Sequence, residues 1–299
     1  MSRASVLKDR AKMLARARNF FQERDILEID CNAMVRRPPI DSHIECIRVD
    51  QDSSFLHTSP EYALKRLLAE GIGDCYFLGH VFRKGEIGSL HNPEFTMAEW
   101  YRVGLSFEEM IQESAAFLFL FFGEKKIELL SFRKAFETYI GIDYKKEPLE
   151  NLQRLTQSSW DRPTCLQALL TEEIEPKLGR GKLSALIEYP PEEAALACVE
   201  EKGGELVAMR FEIYYEGVEL CNGYKELADP SEIANRFEKI NLERLTANLP
   251  PYPLDEKFLL SLQKLPPCCG VALGFDRAMM LRHKVAALSQ VLPFAWSEC

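Results

Sequence analysis

Apolar and polar positions alternate along several short stretches of the chain and recur every three to four residues along others, and these two periods predict its strands and helices. Strand-like runs fall at Ile26 to Asp30, Cys75 to Arg83, Glu94 to Tyr101, Phe211 to Glu226 and Gly270 to Phe275. Leu7, Ala11, Leu14 and Phe21 recur at helical spacing. The Arg-rich start of that segment is like a transit peptide, but Glu28 and Asp30 follow at once in a strand-like run, which argues for a structural helix. A further helix is predicted over Ser106 to Phe122, opened by the capping box Ser106/Glu109, and a charged helical middle over Leu149 to Leu186. Strands that arrive as hairpins, with helices set apart, predict an α+β fold with an antiparallel sheet flanked by helices. Pro38-Pro39 and Pro190-Pro191 mark loops, while no linker, repeat or low-complexity tract divides the chain. One body over residues 1–299, with a helical insertion around 149–186, is the expected organisation.

Composition narrows the classes open to such a fold. The 299 residues are 46% hydrophobic and 28% charged, the balance of a soluble globular protein. With 37 basic and 46 acidic side chains the formal net charge is −9, which disfavours a partner bound through many phosphates, tRNA included. Nine cysteines, an odd number without a CxxC pair, suggest neither a disulfide framework nor structural zinc, and so predict a reducing compartment. The apolar run Ala115 to Phe122 falls far short of the roughly 20 residues a bilayer span needs, so no membrane partner is expected.

Four segments carry candidate chemistry. In Phe82 to Tyr101, two strand-like runs join through a Gly-containing loop, and strand alternation puts Phe95, Glu99 and Tyr101 on one face. In Phe211 to Glu226, a two-residue turn at Glu216-Gly217 would set Tyr214 opposite Glu219, with Glu212 its diagonal neighbour. Two such carboxylates can share Mg²⁺ with phosphate oxygens, although an acidic sheet surface has the same pattern. Bringing Asn222, Tyr224 and Glu226 to that face requires a bulge near Leu220 to Gly223. In Gly270 to Arg277, the face bearing Gly270, Ala272 and Gly274 is stripped of bulk, which predicts close packing by a helix or, as Arg277 just beyond favours, by a phosphate-bearing ligand. Finally, Ser59 reads as an N-cap, Pro60 as the first helical residue and Glu61 as an acid in the first turn.

These segments together resemble the signature of the class II aminoacyl-tRNA synthetases, in particular the lysyl branch. FRKGEIGSLHNPEFTMAEWY is similar to the family's second motif, GVALGFDR to its third, and FEIYYEGVELCNGYKEL to the lysyl-type strand between them. The likeness runs from about Leu7 to the C-terminus without an anticodon-binding domain. That feature, TSPEY, and the LPxCxGVALGxDR form of Leu265 to Arg277 resemble the truncated paralogues that modify elongation factor P, the (R)-β-lysine ligases. The resemblance implies a cytoplasmic, homodimeric, ATP- and Mg²⁺-dependent ligase. It would activate a lysine-like amino acid as an adenylate and pass it to a lysine ε-amine of elongation factor P.

By matching position, the resemblance assigns the α-phosphate and substrate carboxylate to Arg83, with Asn222 assisting at the carboxylate. It sets His91 and Asn92 near ATP, stacks Phe95 on adenine and covers the other face with Arg277 near the γ-phosphate. Leu220 and Gly274 also fall in its ATP site, and Glu212 and Glu219 are its Mg²⁺ ligands. Glu61 would take the nearer substrate amine beside a wall shaped by Ser59 and Pro60, while Tyr101 and Glu226 would hold the distal ammonium. Ala272 stands where the lysyl synthetases carry Gly, a methyl that favours β-lysine over α-lysine. Three positions depart from the pattern: Gly85 replaces a Glu expected near ATP, with Glu86 one residue out of register; Asn32 replaces the first-motif proline; and Leu90 replaces an Arg. Two other functions stay open, a ligase with an RNA acceptor and a non-catalytic regulator that binds lysine or nucleotide.

Overall fold

In the computed structural model, which describes residues 2–41, 44–49 and 54–299, helix α1 (Arg3–Gln22) starts where the Ser2 hydroxyl accepts the Ser5 N–H. Its buried stripe is Val6, Arg10, Met13, Ala17, Phe20 and Phe21, so the apolar spacing of Leu7, Ala11 and Leu14 lies one position off the face that packs. A charge inside the stripe is what conceals the register. Arg10 is buried because its guanidinium meets the Asp276 carboxylate and donates to Thr96 Oγ1 at 2.6 Å, while Asp276 also accepts the Thr96 N–H at 2.8 Å. Removing one partner of a buried pair leaves the other charge uncompensated, at about 3–5 kcal/mol. An Arg10→Ala chain is therefore expected to lose stability of about that size, read as a lower urea midpoint at unchanged slope; a midpoint equal to that of the unaltered chain would refute the pairing.

The backbone divides into two compact units, Met1–Phe122 with Lys225–Cys299, and Gly123–Tyr224. In the first, the strands lie in the order β1 (Leu27–Glu28), β4 (Cys75–Phe82), β5 (Glu94–Val103) and β11 (Cys268–Gly274). The β4–β5 and β5–β11 pairs are antiparallel, as the hairpin pattern predicts, but β1 runs parallel to β4. A parallel pair needs a long crossover, and this one carries the small β2 (Met34–Val35) and β3 (Phe55–Leu56) pair and helix α2 (Glu61–Ala69). Helix α3 (Phe107–Phe122) opens with the predicted capping box, in which Ser106 and Glu109 bond each other through both side chains and both backbone N–H groups. Phe117 packs on Trp100 and on Phe21 of α1, and all three side chains are fully buried. Helices α7 (Pro230–Thr246), α8 (Glu256–Leu262) and α9 (Phe275–Arg282) complete this unit.

The second unit orders its strands β10 (Val218–Lys225), β9 (Glu205–Tyr215), β7 (Leu183–Tyr189) and β6 (Ile127–Ser131), with β8 (Val199–Lys202) also on β9. Here the predicted helical middle is corrected at its end. Helices α4 (Phe132–Tyr139), α5 (Leu149–Thr156) and α6 (Arg162–Leu169) are followed by a π turn and a 3₁₀ turn that stop at Lys177, and Leu183–Tyr189 is a strand. The helical stretch is the crossover that lets β6 and β7 run parallel. Its apolar residues Phe132, Phe136, Leu152, Cys165 and Ile174 form one core with Leu186 and Tyr214. Across the described residues no helix is long and apolar enough to cross a membrane, and all nine cysteines are free thiols.

Candidate active site

Within the first unit the β5 face carrying Glu99 and Tyr101 is lined up with its neighbours by register: Tyr101 lies between Cys75 and Gly270, and Glu99 between Phe77 and Ala272. Gly270 is indispensable to this arrangement, because a Cβ there would fall inside contact distance of Glu226 Oε1 and the Tyr101 ring. At Gly270 the close neighbours are thus the side chains of Glu226 and Tyr101, neither the helix nor the phosphate-bearing ligand expected from the bare glycine face. Helix α2 begins at Glu61, one residue later than predicted, and Ser59 works from just outside it. The Ser59 hydroxyl accepts the Glu61 N–H at 3.0 Å and donates to Glu99 Oε2 at 2.7 Å, while the Tyr101 hydroxyl donates to Glu99 Oε1 at 2.8 Å. Pro60 is buried beside them, and Ala272 is partly exposed on the same face as Glu99.

Three carboxylates therefore converge, from Glu61, Glu99 and Glu226, around the buried ammonium of Lys65, which lies 2.6 Å from Glu61 and 2.5 Å from Glu226. Burial, with the Glu61 charge adding to it, pushes the Glu99 carboxyl up to about 8 against its hydrogen bonds from Ser59 and Tyr101. Burial likewise raises Glu226, to about 7, although Lys65 pulls it down. The Tyr101 phenol stands well above its ordinary pKa, for burial and then for the Glu99 charge, and so remains a proton donor.

A second group of residues in the same unit is basic. The Arg83 guanidinium lies 5.0 Å from the centre of the Phe95 ring, and its buried Nε has no hydrogen-bond acceptor. Arg277, in the first turn of α9, donates from Nε to the Leu90 carbonyl at 3.3 Å, and its Nη2 lies 2.8 Å from His91 Nε2. Burial and then the Arg277 charge lower the His91 pKa, which suits a neutral ring accepting from the guanidinium. Both ends of the Asn92 amide are engaged, donating to the Glu94 carbonyl at 2.7 Å and accepting the Trp296 N–H at 3.0 Å, so it ties this loop to the C-terminal segment. Gly274 precedes α9, and a Cβ there would make only ordinary contact with Arg277. The Gly85 departure has a structural counterpart. Gly85 takes φ +79°, a left-handed turn, and Glu86 then lies 3.6 Å from Arg83 and 4.0 Å from His91.

In the second unit the predicted hairpin holds in detail. Glu216 (φ +50°) and Gly217 (φ +78°) form the turn, Tyr214 lies opposite Glu219, and the register breaks between Glu219 and Cys221. The buried Leu220 is the extra residue, so Asn222 falls opposite Glu212, and Glu212, Tyr214, Glu219, Asn222 and Tyr224 share one face. Glu212 accepts from Arg210 at 2.5 Å, Tyr214 at 2.5 Å and Tyr189 at 2.7 Å, which fixes its orientation. Asn222 Oδ1 is buried without a hydrogen-bond partner. Among the described residues no cluster of three or more Cys, His, Asp and Glu forms a metal cage. The Glu212 and Glu219 carboxylates are nonetheless the hard oxygen donors that Mg²⁺ takes together with phosphate oxygens, so the donor set fits that ion.

One residue of the cluster escapes the sequence reading, and another is found there only as part of a strand face. Lys65 occupies the helix face that buries Tyr62 and Leu68, four residues after Glu61, and that spacing was its available signal. Glu99 was legible as a face residue of β5, but only its bonds to Ser59 and Tyr101 draw it into the carboxylate cluster around Lys65.

This fold, with a carboxylate pocket and an arginine pair in one unit, is that of a class II synthetase. The chain belongs to the family of class II tRNA synthetases (D, K and N), whose model it matches over residues 2–298. It is 38% identical, over 97% of its own length and 94% of the relative's, to the elongation factor P–(R)-β-lysine ligase of Hamiltonella defensa subsp. Acyrthosiphon pisum. Proteins of the same name from Photorhabdus laumondii subsp. laumondii (39%, covering 98% and 95% of the two chains) and Haemophilus influenzae (38%, covering 96% and 93%) are similarly close. Membership of this family implies an enzyme that uses ATP.

Proposed function

We propose that the chain is an ATP-dependent ligase that activates (R)-β-lysine as its adenylate and transfers it to a lysine ε-amine of elongation factor P. The observation that carries the substrate class is the charge count in the amino-acid pocket. Two buried carboxylates, Glu99 and Glu226, and the half-buried Glu61 face one buried lysine, which with all three acids ionised leaves two negative charges, the number that the two ammonium groups of a lysine-like amino acid neutralise. In the empty pocket Glu99 is largely protonated near neutral pH, and an entering ammonium favours its ionised form. Glu61 takes the amine nearer the substrate carboxylate, and Tyr101 and Glu226 take the distal one. The Ala272 methyl, on the same face as Glu99, narrows the pocket toward the β-amino isomer.

Activation requires a substrate carboxylate oxygen to attack the α-phosphorus of ATP, with pyrophosphate leaving. Arg83 neutralises charge on the reacting oxygens, its orphaned Nε supplying a donor for one of them, and Arg277 holds the polyphosphate near His91. Phe95 offers its ring to adenine. Glu212 and Glu219 would hold Mg²⁺, with Leu220 and Asn222 beside them, and the ion would offset phosphate charge. In the second step the acceptor lysine amine, having lost a proton, attacks the adenylate carbonyl, an amide forms and AMP leaves. The net charge of −9 favours a protein acceptor over RNA. We further place the enzyme in the cytoplasm, as a homodimer joined through the exposed edge strand β1.

Exchange of labelled pyrophosphate into ATP tests the first step without any acceptor. With α-lysine, (R)-β-lysine and (S)-β-lysine compared side by side, (R)-β-lysine is expected to give the highest kcat/KM, by about tenfold or more over α-lysine, the scale of one methyl's discrimination. No exchange with any of them, from a chain that still binds ATP, would sink the proposal and favour a regulator that binds without reacting.

A further inference from the structure

In the transfer step the acceptor lysine enters as an ammonium and ends as an amide nitrogen with a single hydrogen, so two protons must leave it. Most groups of the first unit that could take a proton are already engaged. Glu61, Glu99 and Glu226 are gathered in the cluster around Lys65. His91 Nε2 lies 2.8 Å from Arg277 Nη2, where the neutral ring accepts from the guanidinium. Glu86 differs from all of these. Among the described residues it is the one carboxylate within 4.0 Å of Arg83, with Oε1 3.6 Å from Arg83 Nη1 and Oε2 4.0 Å from His91 Nε2. Both separations exceed hydrogen-bond length, so its oxygens keep lone pairs for a donor. The Glu86 side chain is 26% exposed and stands between the exposed Gly85 and the still more exposed Ile87, where an arriving protein side chain reaches it.

We infer that Glu86 is a catalytic residue of the transfer step, the carboxylate that meets the acceptor lysine and takes a proton from its nitrogen as the amide forms. The inference rests on Arg83 lying at the reacting centre and on a protein amine being the acceptor. What it adds is the group on which the second half-reaction alone depends. The acceptor ammonium first loses one proton to water and becomes a neutral amine. Its lone pair then forms the C–N bond to the adenylate carbonyl carbon, the C=O pair moves onto oxygen, and the nitrogen becomes a cation. Bonding to that carbon makes the N–H more acidic than in the free ammonium, so a carboxylate serves as its base. Glu86 takes this second proton, the carbonyl reforms, and the C–O bond to the phosphate breaks with its electron pair leaving on AMP. Glu86 then returns the proton to water. The position fits this task, because a carboxylate 3.6 Å from the guanidinium that neutralises the reacting oxygens is within reach of a nitrogen attacking the same carbonyl. Gly85, left-handed at φ +79° with open space around it, sets Glu86 there. Activation asks nothing comparable of Glu86, since its nucleophile is a carboxylate oxygen and no proton has to leave.

The test measures the two half-reactions separately in Glu86→Gln, which keeps the side chain's shape and removes the base. Pyrophosphate exchange reports activation, and single-turnover passage of labelled (R)-β-lysine from the enzyme-bound adenylate to elongation factor P reports transfer. Expected is a loss of transfer at least about 100-fold greater than any loss of exchange, the usual scale for a positioned base. In Glu86→Ala, added formate, a carboxylate small enough to fill the gap, is expected to restore part of the transfer. Equal losses in the two half-reactions would overturn the inference and make Glu86 a nucleotide ligand. Transfer at the normal rate in Glu86→Gln would overturn it as well, and so would a loss in Glu86→Ala that formate leaves unrestored. Absence of exchange, or exchange without transfer to elongation factor P, from the unaltered chain would instead overturn the proposed reaction, and this inference with it.

Discussion

Arg83→Ala is expected to slow amino-acid-dependent pyrophosphate exchange by about 10²–10³-fold, the usual effect of losing one preorganised donor to developing charge. Arg83 is suited to such a loss. Its guanidinium is already placed over Phe95, its Glu86 contact is loose at 3.6 Å, and its buried Nε lacks an acceptor, so the donor is desolvated in advance of any phosphate. Binding of the amino acid without ATP, followed by calorimetry, should weaken far less than turnover, because the Glu61, Glu99 and Glu226 pocket is untouched. Arg83→Lys should recover little, since an ammonium cannot present two parallel donors to an oxyanion. Exchange that persists within about threefold in Arg83→Ala would remove this residue from the reacting centre.

Gly270→Ala should have an effect of similar size on the other substrate, raising the amino-acid KM by about 100-fold while leaving ATP binding nearly intact. The added methyl falls inside contact distance of Glu226 Oε1 and of the Tyr101 ring, so both groups proposed to receive the distal ammonium must move. Overpacking of this kind also costs about 1–3 kcal/mol of stability, which a urea titration would register. Gly274→Ala is the natural control, because its Cβ meets only Arg277, at an ordinary 3.6 Å. Equal effects from the two substitutions would show that the strand tolerates no side chain on this face for reasons of folding alone.

How far these features could be read from the amino-acid order depends on whether a local rule determined them. The Glu216-Gly217 turn and the bulge after Glu219 were legible, because strand alternation fixes which residues face together and only an inserted residue can bring Asn222 to the side of Glu219. The capping box at Ser106 was legible for the same reason. The face of α1 was misread by one position because Arg10 counts as polar in any periodicity, yet it is buried by a partner 266 residues away. The first half of the strand Leu183–Tyr189, up to Leu186, was misread as helix because an apolar run beside a helical crossover has no period of its own, and its strand character comes from pairing with β6 and β9. Lys65 was passed over since a lysine on a helix reads as solvated until its two carboxylates are known. Glu86 sits one place out of register in the sequence, and the left-handed Gly85 brings it back beside Arg83.

The contact between Arg10 and Asp276 also bears on how the start of α9 is anchored. Asp276 immediately precedes Arg277, and its carboxylate is clamped by a residue of the first helix and by the Thr96 N–H of β5. The residue before Arg277 is thus held by parts of the chain that lie far apart in sequence. Two residues at opposite ends of the chain thereby close on one buried carboxylate, so the first helix and the last one are tied to β5 through a single charged joint.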